Sequence, residues 1–130
     1  MDLALHQGTG PVTVGSVAKR QGIPIRYLEQ LLNRLRREGI VAAERGPRGG
    51  YRLSRSPSQI PISAVFHCLE SERGLSPKGT VPARPDPTAS LWKQVETAVQ
   101  TTLQATTLEN LVAQVRDNSQ VLNHRYTFHI

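Results

Sequence analysis

Along this chain the spacing of apolar residues switches between helical and strand-like periods, and the switches outline most of its elements. Residues 2 to 6 read as the tail end of a helix, apolar at Leu3, Ala4 and Leu5 and broken by Gly8 and Gly10-Pro11. Thr13 can cap a short helix that carries Val14, Val17 and Ala18 on one side and ends at Gly22. Pro24 sits where the next helix can begin, because its missing N–H would have no partner there. Leu28, Leu31, Leu32 and Leu35 then recur at i, i+3, i+4 and i+7 until Gly39 intervenes, the most strongly periodic stretch in the sequence. Residues 40 to 45 and 51 to 54 read as two strands joined by Gly46-Pro47-Arg48-Gly49-Gly50, a turn whose glycines supply positive φ.

Beyond the hairpin, Pro61 can open a helix with Ile62, Val65, Phe66 and Leu69 inward, ending near Glu70. Residues 74 to 87 hold four prolines and two glycines and predict a loop or linker. Asp86 can cap, and Pro87 begin, a long helix whose stripe runs through Leu91, Val95, Ala98 and Thr102. Thr106 with Glu109 has the spacing of a capping box for a second, short helix bearing Leu108, Leu111, Val112 and Val115. Residues 126 to 130 alternate like a strand but are few, so a strand and a disordered tail both fit. The expected fold is mainly α with a small β-hairpin.

Charge sharpens this outline. The formal net charge is +6, and the whole excess lies in residues 1 to 56, where ten Lys and Arg face four Asp and Glu; the remainder carries six of each. Such segregation serves a protein that neutralises phosphates, although a solvated basic surface without a partner also fits charge alone. On a wheel of about 100° per residue, the side opposite the leucines presents Arg26, Gln30, Asn33 and Arg37, flanked by Glu29, Arg34 and Arg36. Guanidinium forks and paired amide atoms are the groups that grip phosphates and base edges. The hairpin turn adds Arg45 and Arg48 at a cationic tip. A phosphate-cradling loop is the rival reading of these glycines, but the Lys-Ser or Lys-Thr ending is missing and a strand, not a helix, follows.

Two short helices, the second basic, followed at once by a Gly-rich basic hairpin form the order of a winged helix-turn-helix. A major groove about 12 Å wide admits one helix while a hairpin arm lies along the backbone or in the minor groove. The motifs themselves carry a resemblance. Tyr27-Leu28-Glu29-Gln30-Leu31-Leu32, Leu35-Arg36, Gly39-Ile40-Val41 and Arg45-Gly46-Pro47-Arg48-Gly49-Gly50-Tyr51-Arg52-Leu53 closely resemble the Rrf2 family of bacterial regulators, the IscR type. The likeness continues through Leu91-Trp92 and Thr106-Thr107-Leu108 and covers nearly the whole chain.

The resemblance implies double-stranded DNA as partner, with residues 27 to 30 reading the major groove and residues 45 to 50 as the wing. It also implies that residues 86 to 104 form the helix through which two subunits dimerise, with Leu91, Trp92, Val95, Ala98, Val99 and Thr102 on the contact. Within that scheme Glu29 can accept from a cytosine amino group and Gln30 can pair with adenine, while Arg26, Tyr27, Arg34 and Arg37 hold phosphates. Arg45 or Arg48 would be drawn to a narrow minor groove. Domain boundaries follow: 1–70 a winged helix-turn-helix with a curtailed first helix, 71–87 a loop, 88–117 dimerisation helices and 118–130 a C-terminal tail.

Two departures from the family pattern stand out. Its cluster-binding members place three cysteines and a histidine in the loop before the long helix, whereas residues 71 to 90 here contain neither type. A [2Fe–2S] cluster needs thiolate or imidazole ligands, so no cofactor is expected and the chain resembles the cluster-free branch that includes CymR, which responds through a regulatory protein partner. Family members also carry about a dozen more residues before the position of Asp2; the expectation is that the true start lies upstream, the alternative being uncovered apolar surface.

Other functions have little support. No apolar run approaches the roughly 20 residues of a membrane span and no signal peptide is visible, which places the chain in the cytoplasm. Cys68 is the only cysteine and reads as a buried structural thiol; His6, His67, His124 and His129 lack metal-ligand spacing. No paired-carboxylate or Ser-His-Asp arrangement suggests an enzyme. A protein-interaction module, its charge serving an acidic partner, is the alternative class.

Overall fold

The computed structural model describes residues 1–70 and 87–125, with side-chain environments given through residue 119. Six α-helices and one antiparallel hairpin appear there: α1 (Asp2–Leu5), α2 (Val14–Gln21), α3 (Ile25–Arg37), β1 (Val41–Glu44), β2 (Gly50–Leu53), a 3-10 turn (Pro57–Gln59), α4 (Ile62–Glu70), α5 (Ala89–Ala105) and α6 (Leu108–Arg125). The linker, Asp86 and the last five residues lie outside the described residues.

Local chemistry sets the boundaries of the first helices. Thr13 accepts the Ser16 backbone N–H at 3.2 Å, satisfying one of the donors that α2 leaves open at its start. Helix α3 ends in a Schellman arrangement: Gly39, at φ +67°, lets Ile40 N–H reach the Leu35 carbonyl at 2.9 Å and its own N–H reach Arg36 at 3.0 Å. The same turn drives Ile40 and Val41 into the interior, both 3% exposed, so the strand starts from the end of the basic helix.

The two strands pair with Val41 opposite Leu53 and Glu44 opposite Gly50. Val12 bridges to Tyr51 on the other side of β2, adding a short third row. The glycines of the turn act in two different ways, not one. Gly46 has φ +119°, but Gly49 and Gly50 do not adopt positive φ. A Cβ on Gly50 would stand 2.5 Å from the Val12 carbonyl oxygen, and one on Gly49 would be closer still to that of Glu44. Close backbone approach, not left-handed φ, demands those two residues.

Two clusters of buried side chains hold the fold. Val12, Val17, Ala18, Leu28 and Leu32 lock α2 against α3. Ala4, Ile40, Val41, Leu53, Ile60, Cys68, Leu108 and Val112 form the other, and Leu3, Leu35 and Tyr51 pack against both. An apolar groove of about 390 Å³ remains open between them, bordered by Met1, Leu28, Leu32, Val65 and Leu111.

Five expectations change. Helix α6 is neither short nor confined to a separate dimerisation unit, because Leu108 and Val112 enter the core beside Ile60. It also runs to Arg125, through residues expected to form a tail; no Gly or Pro interrupts residues 108 to 125. The reciprocal cap belongs to Thr107 and Asn110, whose side chains each accept the other's backbone N–H at 2.8 and 3.3 Å, while Thr106 ends α5. Helix α5 begins at Ala89 after Thr88, with Pro87 before it. Finally, α4 buries Ser63 and Cys68 and leaves Ile62, Val65, Phe66 and Leu69 half-buried, since it packs against both α3 and α5 and has no single inward face.

Candidate nucleic-acid interface

Helices α2 and α3 are joined by Gly22-Ile23-Pro24 alone, and Ile23 N–H closes back on the Ala18 carbonyl at 3.1 Å. With Val17 and Ala18 packed on Leu28 and Leu32, the opposite side of α3 must face outward. Arg26, Tyr27, Glu29, Gln30, Asn33, Arg34 and Arg37 are all exposed, Tyr27 to 55%. Among the described residues, no side-chain hydrogen bond or ion pair engages Arg26, Tyr27, Glu29, Gln30 or Arg37. A row of unpaired donors and acceptors on a rigid helix is what a groove reader needs, because each group exchanges water for a base edge or phosphate when it meets the duplex.

The hairpin leaves its cations equally available. Arg52 pairs diagonally across the strands with Glu44, which removes the carboxylate nearest the tip. Arg45 and Arg48, on either side of a turn closed by Gly49 N–H to the Gly46 carbonyl at 2.9 Å, are exposed and have no ion pair among the described residues. Gly50 and Tyr51 do not share that exposure: they are half-buried where β2 meets Val12, so they shape the wing. Only Glu38, Gly39 and Ile40 separate α3 from β1, and Gly39 and Ile40 are hydrogen-bonded back onto the end of α3.

The six α5 residues divide. Leu91, Trp92, Val95, Ala98 and Thr102 are exposed, the first three to 59%, 50% and 43%, while Val99 is half-buried. Thr102 spends its hydroxyl on the Ala98 carbonyl at 3.0 Å. Leu91, Trp92 and Val95 thus form an exposed apolar stripe along α5.

Sequence alone gives no role to Arg55, which counts in the basic excess, or to His67. Both are exposed and line one pocket with Arg34 and Arg37: α4 brings His67 beside α3, and the segment after β2 brings Arg55. In the same place Cys68 is a buried free thiol, its pKa pushed up by burial and by the Glu38 carboxylate against the opposing pull of Arg34. That suppresses the thiolate on which reactivity depends.

An exposed cationic recognition helix in a helix-turn-helix, continued by a basic hairpin, defines a winged helix-turn-helix DNA-binding protein. A family model described as Rrf2, an iron-dependent transcriptional regulator, matches residues 1–114. The HTH-type transcriptional regulator IscR of Pectobacterium carotovorum subsp. carotovorum (strain PC1) is 38% identical over 127 residues, 95% of this chain and 75% of that protein. Among solved structures, T. potens IscR matches with a TM-score of 0.73 and 35% identity over 88% of this chain and 77% of that one. CymR, the global cysteine regulator of B. subtilis, does so with a TM-score of 0.73 and 34% identity over 87% and 86%. The chain belongs to the Rrf2 family of transcriptional regulators, and its function is that of a DNA-binding regulator.

Iron dependence in the family description raises the question of a cluster. The residues here do not fit a [2Fe–2S] centre: Cys68 is the sole cysteine, residues 71 to 86 contain no Cys or His, and among the described residues no three His, Cys, Asp or Glu side chains converge. The described residues also contain no helix long and apolar enough to cross a membrane.

Proposed function

We propose that the chain is a cytoplasmic, non-enzymatic repressor that binds a pseudo-palindromic operator as a homodimer. Exposure of unpaired Arg26, Gln30, Arg45 and Arg48 on one continuous α3 and hairpin unit is the observation that carries this reading. Each α3 enters a major groove with Glu29 and Gln30 toward base edges. Arg26, Tyr27, Arg34 and Arg37 take phosphates, while the hairpin arginines reach the flanking minor groove. The α5 stripe of Leu91, Trp92 and Val95 joins the subunits, setting the two readers about one helical turn, roughly 34 Å, apart. Bound across a promoter, such a dimer excludes polymerase. Its signal enters without an iron–sulfur cluster, through a ligand or a regulatory protein partner.

Selection of bound sequences from random duplexes tests the reading. A two-fold symmetric motif with half-sites one turn apart is expected. Recovery of a single asymmetric half-site contradicts the dimer, and no enrichment contradicts sequence-specific binding.

A further inference from the structure

The pocket between α3 and α4 gathers three arginines and a histidine. About 470 Å³ in volume, it is lined by Arg34, Arg37, Arg55, His67, Glu38 and Cys68. Three guanidiniums facing one space repel each other, and among the described residues neither Arg37 nor Arg55 has an ion-pair partner that would offset this. Arg34 makes only a 3.5 Å contact to the Leu69 carbonyl, a neutral acceptor at the long limit of hydrogen bonding. Among the described residues Glu38 is the single carboxylate in the lining and has no ion pair, so the described lining carries a net positive charge. The volume falls in the range of about 300 to 1,000 Å³ that small-molecule sites occupy.

We infer that this pocket binds a small molecule carrying two or more oxyanion groups, phosphate or carboxylate, and that its occupancy releases DNA. Each guanidinium presents a planar fork that accepts an oxyanion in bidentate fashion, and the His67 imidazole adds a further donor. Only an acid with its charges spread over several groups reaches the cations of all three elements, α3, α4 and the segment after β2. The release follows from geometry and rests on the DNA-binding reading proposed for α3: Arg34 and Arg37 stand on the outer side of the recognition helix, and an anion that engages them in the pocket withdraws them from phosphates. The two ligands then share donors, and by linkage each weakens the other.

Calorimetric titration of the protein alone with pyrophosphate and with citrate, against sodium chloride of matched ionic strength, tests the pocket without DNA. Saturable binding of at least one polyanion is expected, weakened about tenfold or more in Arg55→Ala/His67→Ala, whose side chains are exposed and outside the DNA set. Arg55→Glu, which reverses one charge, should abolish it. Absence of saturable binding, or equal binding in wild type and both variants, overturns the site. In a second arm, the polyanion should weaken duplex affinity about tenfold in wild type and leave the double variant's affinity unchanged. Binding without any change in duplex affinity overturns the release mechanism. Failure of the unliganded protein to bind any duplex counts against the DNA-binding reading, and the calorimetric arm then still decides the pocket.

Discussion

Val12 and Tyr51 exchange both backbone hydrogen bonds, each N–H to carbonyl at 2.8 Å. This pair ties the returning strand of the wing to the residue that leads into α2, so the hairpin is fixed to the helix-turn-helix at two places, here and at Gly39. The closeness of the two backbones leaves no room for a side chain on the preceding residue.

Gly50→Ala should therefore destabilise the protein by about 1–3 kcal/mol, the cost of forcing backbone apart to seat a methyl group. Gly15→Ala provides the contrast. Gly15 lies in α2 with nothing within 4 Å of an added Cβ, and alanine there should stabilise by up to about 1 kcal/mol. Urea unfolding midpoints of the two variants should move in opposite directions; a common direction contradicts the steric explanation.

Asp2 receives Arg20 Nε at 3.0 Å and Nη2 at 2.7 Å, with Gln21 Nε2 at 3.2 Å, which joins the first helix to the second. These hydrogen bonds, led by Arg20, hold the Asp2 carboxyl below the usual aspartate value, against the opposing effect of its burial. A lowered folded-state pKa stabilises above the unfolded value of about 3.9 and loses that contribution as pH falls through the folded one. Asp2→Asn should thus lower the thermal midpoint by a few degrees at neutral pH and by progressively less below about pH 4. A difference independent of pH would mean that the carboxylate charge contributes nothing.

Much of the architecture was legible because it rests on local chemistry. The Thr13 cap, the Leu28 to Leu35 stripe and the Gly39 stop each involve residues a few positions apart, and the resemblance of residues 27 to 53 to the Rrf2 pattern reinforced them. Long-range packing was not legible. Asp2 and Arg20 are 18 positions apart, and nothing in sequence marks them as a pair. Leu108 and Val112 looked like part of a separate dimerisation helix, yet the backbone bridge at Pro61 and Thr107 draws α6 into the core beside Ile60. Arg55 and His67 gain meaning only where α4 and the segment after β2 both approach α3. Gly49 and Gly50 were assigned to the right turn for an incomplete reason, because a collision with another segment leaves no mark in the local pattern.

Trp92→Glu should break self-association. A carboxylate within the exposed α5 stripe would be buried unpaired in a dimer while costing the monomer little. Sedimentation should show a dimer for wild type and a monomer for the variant, with helical circular dichroism retained in both. Dimeric Trp92→Glu places the interface elsewhere.

Gln30 and Arg48 should separate recognition from attraction. Gln30→Ala loosens preference at one position of each half-site by about 1–3 kcal/mol and changes affinity for random duplex little. Arg48→Ala weakens every duplex to the same degree. Competition binding on a set of single-base operator variants distinguishes the two, and equal effects of both substitutions on operator and random DNA contradict this division.

Helix α3 and the hairpin should meet a duplex together, and the salt dependence of affinity reads that most directly. Anisotropy titrations of labelled, protein-free duplex should give log K falling linearly with log salt, and Arg45→Ala/Arg48→Ala should reduce the slope by about 0.9 for each phosphate that the variant no longer neutralises. An unchanged slope in that variant, or an affinity for naked duplex that ignores salt, contradicts the shared surface.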